Sequence, residues 1–277
     1  MVLFLFLSHL ALGIIFTLVF VSREAGVKFF RFNAGLAAIL LVIAIAFFFN
    51  DLNRPLSPGL GAQSIGVAAF SLWALVTSTA AIAIYWATVG RTLASIRPAL
   101  VSIAVGAGLI AIVAQAFTAV SGQAAGLLAM TIASFLSSAA LLGGACTAMI
   151  LGHWYLVIPS MQVSHLQSII KLHMASMAVR VAVVGAAVVL ALATSATAAP
   201  GLGPSFRHYI TSIAGIFFWQ RVLFGLCGPA LLSYLTWETA KIRSTQSATG
   251  ILYVYFFTVV VGEVLAKYIL LATRVPV

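Results

Sequence analysis

Carboxylates are almost missing from this chain: its 277 residues hold four of them, and Asp51 is the sole aspartate. That scarcity removes whole classes of chemistry. A catalytic carboxylate pair has almost nothing to be built from, and the paired aspartates with which membrane prenyltransferases hold a diphosphate through magnesium are absent. Cysteine is nearly as scarce. Cys146 and Cys227 each lie inside an apolar run, without CxxC or Cys/His spacing, so zinc, iron–sulfur and covalent haem motifs are excluded and the thiols read as free and buried. GxSxG, HExxH and Walker-type loops are lacking too. Charged residues of either sign make up only 6% of the chain, too few to cover a soluble domain of this length.

What the chain has is apolar length, with 63% hydrophobic residues and a mean hydropathy of +1.19. Lipid is the solvent that such a surface needs, and lipid obliges every backbone N–H and C=O to find a partner within the protein, which leaves helices or closed barrels. The apolar segments run for about 20 residues without alternation, the length of a spanning helix rather than a barrel strand. They fall at Val2–Ser22, Ala34–Asn50, Ser64–Ala87, Ala99–Ala119, Gly126–Ile150, Met174–Ala198, Tyr209–Leu235 and Ser247–Ala272. The expected fold is therefore all-α, a polytopic bundle of about eight transmembrane helices. Connections are short, so residues 1–277 form a single domain with no soluble part. Pro55, Pro58, Gly59 and Gly61 mark the longest loop, and Pro98, Pro159 and Pro200 stand at helix boundaries, where a missing N–H costs little. Met1 to Ser22 lacks a basic leader and is longer than a signal-peptide core, so it is expected to be a retained first helix.

The formal charge of +10 and pI near 10.2 fit topology better than nucleic acid, because no soluble segment carries a basic stripe with interleaved aromatics. Loops after helices 1, 3, 5 and 7 hold Arg23, Lys28, Arg31, Arg91, Arg97, Lys171, Lys241 and Arg243. The opposite loops and the tail hold Arg54, Arg207 and Arg274. Eight against three places the basic loops in the cytoplasm and both termini outside. Tyr85, Trp86, Trp154, Tyr155 and Trp237 sit near that inner boundary, as interfacial aromatics do. An integral protein of a bacterial inner membrane is expected.

Small residues such as Gly106, Gly108, Gly143 and Gly144 allow close helix approach, which is a packing signal. The chemically informative residues are the ionisable ones inside the spans, since each costs on the order of 2.5–3.5 kcal/mol at the bilayer centre on insertion scales. Arg221 lies roughly 18 Å from the outer end of helix 7 and Glu263 roughly 13 Å from the outer end of helix 8, taking about 1.5 Å per residue. An ion pair between consecutive helices is easy at those depths. Lys267, at i+4 from Glu263, shares its face. His9, about 10 Å into helix 1, together with Gln115 and Gln220, adds polar atoms in the same half. These six residues describe either an outer-half pocket that binds a quinol head group or passes a proton, or a helix-pinning salt bridge with Lys267 snorkelling outward.

A second polar group is expected near the inner face. His153 ends helix 5, His165 and His173 follow across an amphipathic connector, and Arg180 lies one turn or more into helix 6, snorkelling inward or holding an anion. Three histidines raise haem or metal. With no carboxylate nearby to complete a ligand set, no metal is expected. His153 and His173 face one another for a b-type haem only at the membrane edge.

Two strings near the C-terminal end carry a likeness: Phe217-Phe218-Trp219-Gln220-Arg221-Val222-Leu223 and Val261-Gly262-Glu263-Val264-Leu265-Ala266-Lys267-Tyr268. This part resembles the membrane-anchor subunits of dimethyl sulfoxide reductase type enzymes, the DmsC/NrfD-like family, over roughly the last 60 residues. The family has an Arg-Val/Ile-Leu run on its seventh helix and a Gly-Glu-x-x-x-Arg run on its eighth; Lys267 stands where the second arginine is expected. The family's histidine after the second helix and glutamate at the third have no counterpart in Phe49–Arg54 or Ser64–Thr88. The resemblance implies a haem-free anchor with eight helices that exchanges electrons between menaquinol and an iron–sulfur or cytochrome subunit. Alternative readings are a transporter or channel for a small or lipidic solute, and a b-type cytochrome subunit.

Overall fold

The computed structural model describes residues 1–52, 62–91, 94–120, 125–157, 163–195 and 206–277, and all regular structure among them is helical. In chain order the helices are α1 (Val2–Leu18), α2 (Gly26–Leu52), α3 (Ala62–Thr88), α4 (Arg97–Ala119), α5 (Ala125–Val157), α6 (Val163–Ser195), α7 (Phe206–Thr211), α8 (Ile216–Val222), α9 (Gly228–Lys241) and α10 (Thr245–Thr273). A π turn, Leu223–Cys227, joins α8 to α9, so that Ile213–Lys241 forms one 29-residue span. The loop residues Arg54, Pro55, Pro58, Gly59 and Gly61, with Pro159 and Pro200, lie outside the described residues.

Seven segments are long and apolar enough to cross a bilayer: α2 to α6, the composite Ile213–Lys241 span, and α10. The protein is an integral membrane helical bundle. Its outer surface is greasy, with Trp73, Val189, Ile213 and Phe257 turned outward, as lipid allows and water does not. Two helices lie outside these spans, the six-residue α7 and the 17-residue α1, the latter about 25 Å long. Helix α1 is also the most enclosed, packed against α2, α4, α5 and α10, with apolar side chains all round its circumference.

Small residues set the closest crossings. A Cβ on Gly13 would run into the Ala139 carbonyl, and one on Gly143 into the Gly13 backbone, so α1 and α5 touch main chain to main chain. The π turn meets α10 in the same way at Gly225 and Gly262; a Cβ on Gly225 would stand 2.6 Å from the Gly262 Cα. Without a hydrophobic drive between helices in lipid, such approach is what holds them together.

One boundary differs from the sequence expectation. Helix 6 begins at Val163, not Met174, because the connector carries Leu166, Ile169, Ile170, His173 and Met177 on one buried stripe at helical spacing. The amphipathic connector is the first part of the helix itself. Arg180 therefore lies much farther along its helix than a start at Met174 implies.

At one end of the bundle aromatics and cations interleave. Arg31 lies over the Trp86 ring at 5.7 Å, and Lys171 and Lys241 flank Trp237 at 5.2 and 5.4 Å. The other end is marked by the bond from Arg274 Nη1 to the Ala119 carbonyl, 2.8 Å, which ties the end of α10 to the end of α4.

Candidate functional site

Glu263 is the natural starting point, since lipid should exclude it. It sits on the stripe of α10 that also carries Val259, Gly262, Ala266 and Lys267, and its side chain is wholly buried. Its Oε1 accepts from Arg180 Nε and Arg221 Nη2, both at 2.9 Å. Its Oε2 accepts from Arg180 Nη2 at 3.1 Å and from Ser138 Oγ at 2.6 Å. A carboxylate offers about four lone-pair sites, and these donors fill them. Lys267 Nζ stands 3.6 Å from Oε2, one turn along the same helix.

Each partner comes from a different helix, and local sequence explains how. Arg221 leaves the end of α8. Four residues on is Gly225, whose carbonyl would ordinarily accept from residue 229; Pro229 has no N–H to give. That oxygen takes Arg221 Nη1 instead, at 2.8 Å. Proline and π turn together aim the guanidinium at α10. Arg180, on α6, donates through Nη1 to the Ser134 carbonyl (3.0 Å), Ser134 Oγ (2.7 Å) and Ser137 Oγ (3.4 Å), and through Nη2 to the Val277 main-chain oxygen at 3.4 Å. Ser134, Ser137 and Ser138 line one face of α5 at i, i+3 and i+4.

The ion cluster thus joins α5, α6, α8 and α10 around one carboxylate and three cationic heads. Arg180 has partners on every nitrogen. Arg221 has none for Nε, and Lys267 makes one short hydrogen bond, to Ser138 Oγ at 2.7 Å, beside its longer ion pair and a 5.1 Å approach to the Phe135 ring. The cluster is firmly held on the Arg180 side and loosely held on the Lys267 side.

His9 extends it on the loose side. Its Nδ1 lies 3.4 Å from Ser138 Oγ and its ring meets Phe135 edge-on at 4.7 Å. Ser138 gives its one hydrogen to Glu263 and accepts from Lys267, so the histidine can only donate, which assigns the proton to Nδ1. His9 Nε2 is then a buried acceptor with no hydrogen-bond partner. Gln115, on α4, accepts from Ser8 Oγ at 3.4 Å through Oε1, and its Nε2 is a buried donor without a partner.

Two to three turns along, toward the basic end, lies another buried polar layer. His173 of α6 stacks on Tyr255 of α10 with centroids 4.5 Å apart, and neither imidazole nitrogen nor the phenol oxygen has a hydrogen-bond partner. Thr147 Oγ1 of α5 is also without one.

Of the residues singled out by sequence, Arg221, Glu263, Lys267 and His9 meet, and Gln115 lies next to them through Ser8. Gln220 does not; it is exposed, a step around the helix from Arg221, and faces lipid. Arg180, expected in an inner polar group, belongs to the Glu263 cluster, because α6 starts earlier and carries it deeper. His153 is exposed and bonded to Tyr253 Oη at 3.3 Å, whereas the His173 Cβ lies 3.5 Å from the Cβ position of Gly144. Nine residues of α5 separate those levels, about 13 Å. The two histidines do not face each other across the bundle. The three serines were missed, although their i, i+3, i+4 pattern inside an apolar helix was the signal for them.

Searched against family models, curated proteins and solved structures, the chain matches none.

Proposed function

We propose that this chain is a membrane-anchor subunit of an oxidoreductase complex and that the loose side of the cluster receives the head group of a quinone or quinol. The observation that carries the reading is that one acceptor, His9 Nε2, and one donor, Gln115 Nε2, are both buried without a hydrogen-bond partner, His9 sharing Ser138 with Lys267 and Gln115 reached through Ser8. A carbonyl asks for a donor and a hydroxyl for an acceptor, and buried groups of this kind are ordinarily satisfied. A quinone would supply two-electron, two-proton chemistry, with its electrons passed to an iron–sulfur or cytochrome subunit; among the described residues no group of three or more His, Cys, Asp or Glu side chains could hold a metal.

The chain's own residues divide the work. Arg180 and Arg221 hold Glu263, and Glu263 holds Ser138. Ser138 in turn orients His9 and Lys267, the groups positioned to hold a proton. An apolar cavity of about 380 Å³ runs past Leu12, Gly108, Ile112, Leu136 and Ser137, whose hydroxyl also touches Arg180. Its size and apolar lining suit an isoprenoid tail. With the basic loops in the cytoplasm, the head-group site lies in the outer half of a bacterial inner membrane.

The test is purification of the full chain from its native membrane under mild detergent, with quinone extraction and identification of co-purifying proteins. A redox subunit and stoichiometric quinone are expected, and His9→Ala should lose the quinone while keeping the subunit. Recovery of a functional chain with no redox neighbour and no quinone overturns the reading, as does a Soret band in the pure chain.

A further inference from the structure

The polar layer toward the basic end stands apart from the ion cluster and takes no part in it. Its polar atoms are both ring nitrogens of His173 on α6, Tyr255 Oη on α10 and Thr147 Oγ1 on α5, all buried and none with a hydrogen-bond partner. Helix register puts them at one level. Helices α5 and α10 run antiparallel, with Gly152 against Thr249 and Leu252 at one point and Ser138 bonded to Glu263 at another. Thr147 comes level with Tyr255 between those points. On the other side Gly144, about one turn from Thr147, stands against His173.

The threonine breaks a pattern. Thr17, Thr131, Thr236 and Thr249 are buried in helices as well, and each turns its hydroxyl back on the carbonyl four residues earlier. Thr147 does not, so its hydroxyl is free for a group outside its own helix. Space lies beside Gly144, where a Cβ would meet only one atom of another element, the His173 Cβ at 3.5 Å. The cations that flank His173 along α6 are engaged elsewhere: Lys171 lies over the Trp237 ring, and Arg180 bonds Glu263. A charged ligand would therefore be buried unpaired. The stacked rings of His173 and Tyr255, 4.5 Å apart and 17° from parallel, admit nothing between them and offer only their edges. The occupant that fits is small, neutral and able both to donate and to accept.

We propose that this layer is a binding site for water and that His173 relays protons through it. Buried polar groups are ordinarily satisfied by protein or by ordered water, and a buried water is held by about two to four of them. The imidazole nitrogens face apart around the ring, so each needs its own water. When an excess proton reaches one of these waters, the ring takes it at its bare nitrogen and releases the proton on its other nitrogen to the opposite water. One N–H bond forms, one breaks, the tautomer changes, and the positive charge passes across the ring. The relay works whether or not a quinone occupies the outer cluster.

Two measurements on the full chain read the site. In liposomes, solid-state NMR of protein labelled in its histidine rings follows the His173 ring N–H, assigned by its loss in His173→Gln. Contact with water, and loss of the signal within hours of transfer to heavy water, are expected. A signal without water contact that persists for days overturns the relay. In detergent, Thr147→Val and Tyr255→Phe each remove a hydroxyl from a side chain of nearly unchanged shape. With water joining the hydroxyls, each variant lowers the thermal unfolding temperature by a few degrees, and the double variant lowers it by less than the sum. Bare hydroxyls give the opposite sign, since each variant then removes an unsatisfied buried group and the unfolding temperature holds or rises. That result, or losses that simply add, overturns the shared water site.

Discussion

Arg180 and Lys267 are both cations buried against one carboxylate, yet their circumstances differ. Every nitrogen of Arg180 has a partner, whereas Lys267 has a single short hydrogen bond. Removing the shared carboxylate leaves all three cations uncompensated, and breaking a buried ion pair from one side costs about 3–5 kcal/mol. Glu263→Gln is expected to lower the thermal unfolding temperature of the detergent-solubilised protein by several degrees, and Arg180→Gln added to it should restore part of that loss. An unchanged unfolding temperature in the single variant would show that the cluster does not hold the helices. The Arg221–Glu263 half of this arrangement was legible from sequence, because two opposite charges on consecutive spans at matched depth have few other ways to be satisfied in lipid. Arg180 was not. Its depth was measured from a helix start at Met174 rather than Val163, and eleven residues of helix move it about 16 Å. Hydropathy marks where lipid begins, and a helix does not have to begin there.

Among the elements, α1 is short for a span, and its enclosure explains how a 17-residue helix persists: Gly13 lets it lie directly on α5. Gly13→Ala and Gly143→Ala each place a methyl group on facing backbone, which cannot rotate away, and overpacking of this sort costs about 1–3 kcal/mol. Gly185, where a Cβ meets nothing within 4 Å, provides the matched control. The first two substitutions should lower the unfolding temperature and Gly185→Ala should leave it level or raise it; the reverse order would remove α1 from the heart of the bundle. The sequence offered Gly106, Gly108, Gly143 and Gly144 as packing residues without ranking them. Gly143 proves to be a crossing point and Gly106 an open one, a distinction that needs the partner helix and not the pattern alone.

For the molecule as a whole, the asymmetry of basic residues predicts an orientation. Arg23, Arg97 and Arg243 belong to one end, because the Arg274–Ala119 bond puts the other ends of α4 and α10 together. With Cys146 and Cys227 replaced by serine, a single cysteine at position 243 should be labelled by a membrane-impermeant maleimide only after cells are opened, and one at position 274 in intact cells. Labelling in the opposite sense would invert the bundle and move the proposed head-group site to the other leaflet. That there are many apolar helices was plain from composition. That one carboxylate gathers three cations from separate helices was not, since proximity between distant segments leaves no mark on hydropathy.

The ratio of three positive heads to one negative has a consequence for permeation. Sodium or potassium moving through the middle of this bundle would have to pass the guanidinium and ammonium groups at close range, in surroundings too dry to screen them. The barrier they raise is of the kind that keeps other pores closed to alkali metal ions, so vesicles holding the protein are expected to leak sodium and potassium no faster than bare lipid.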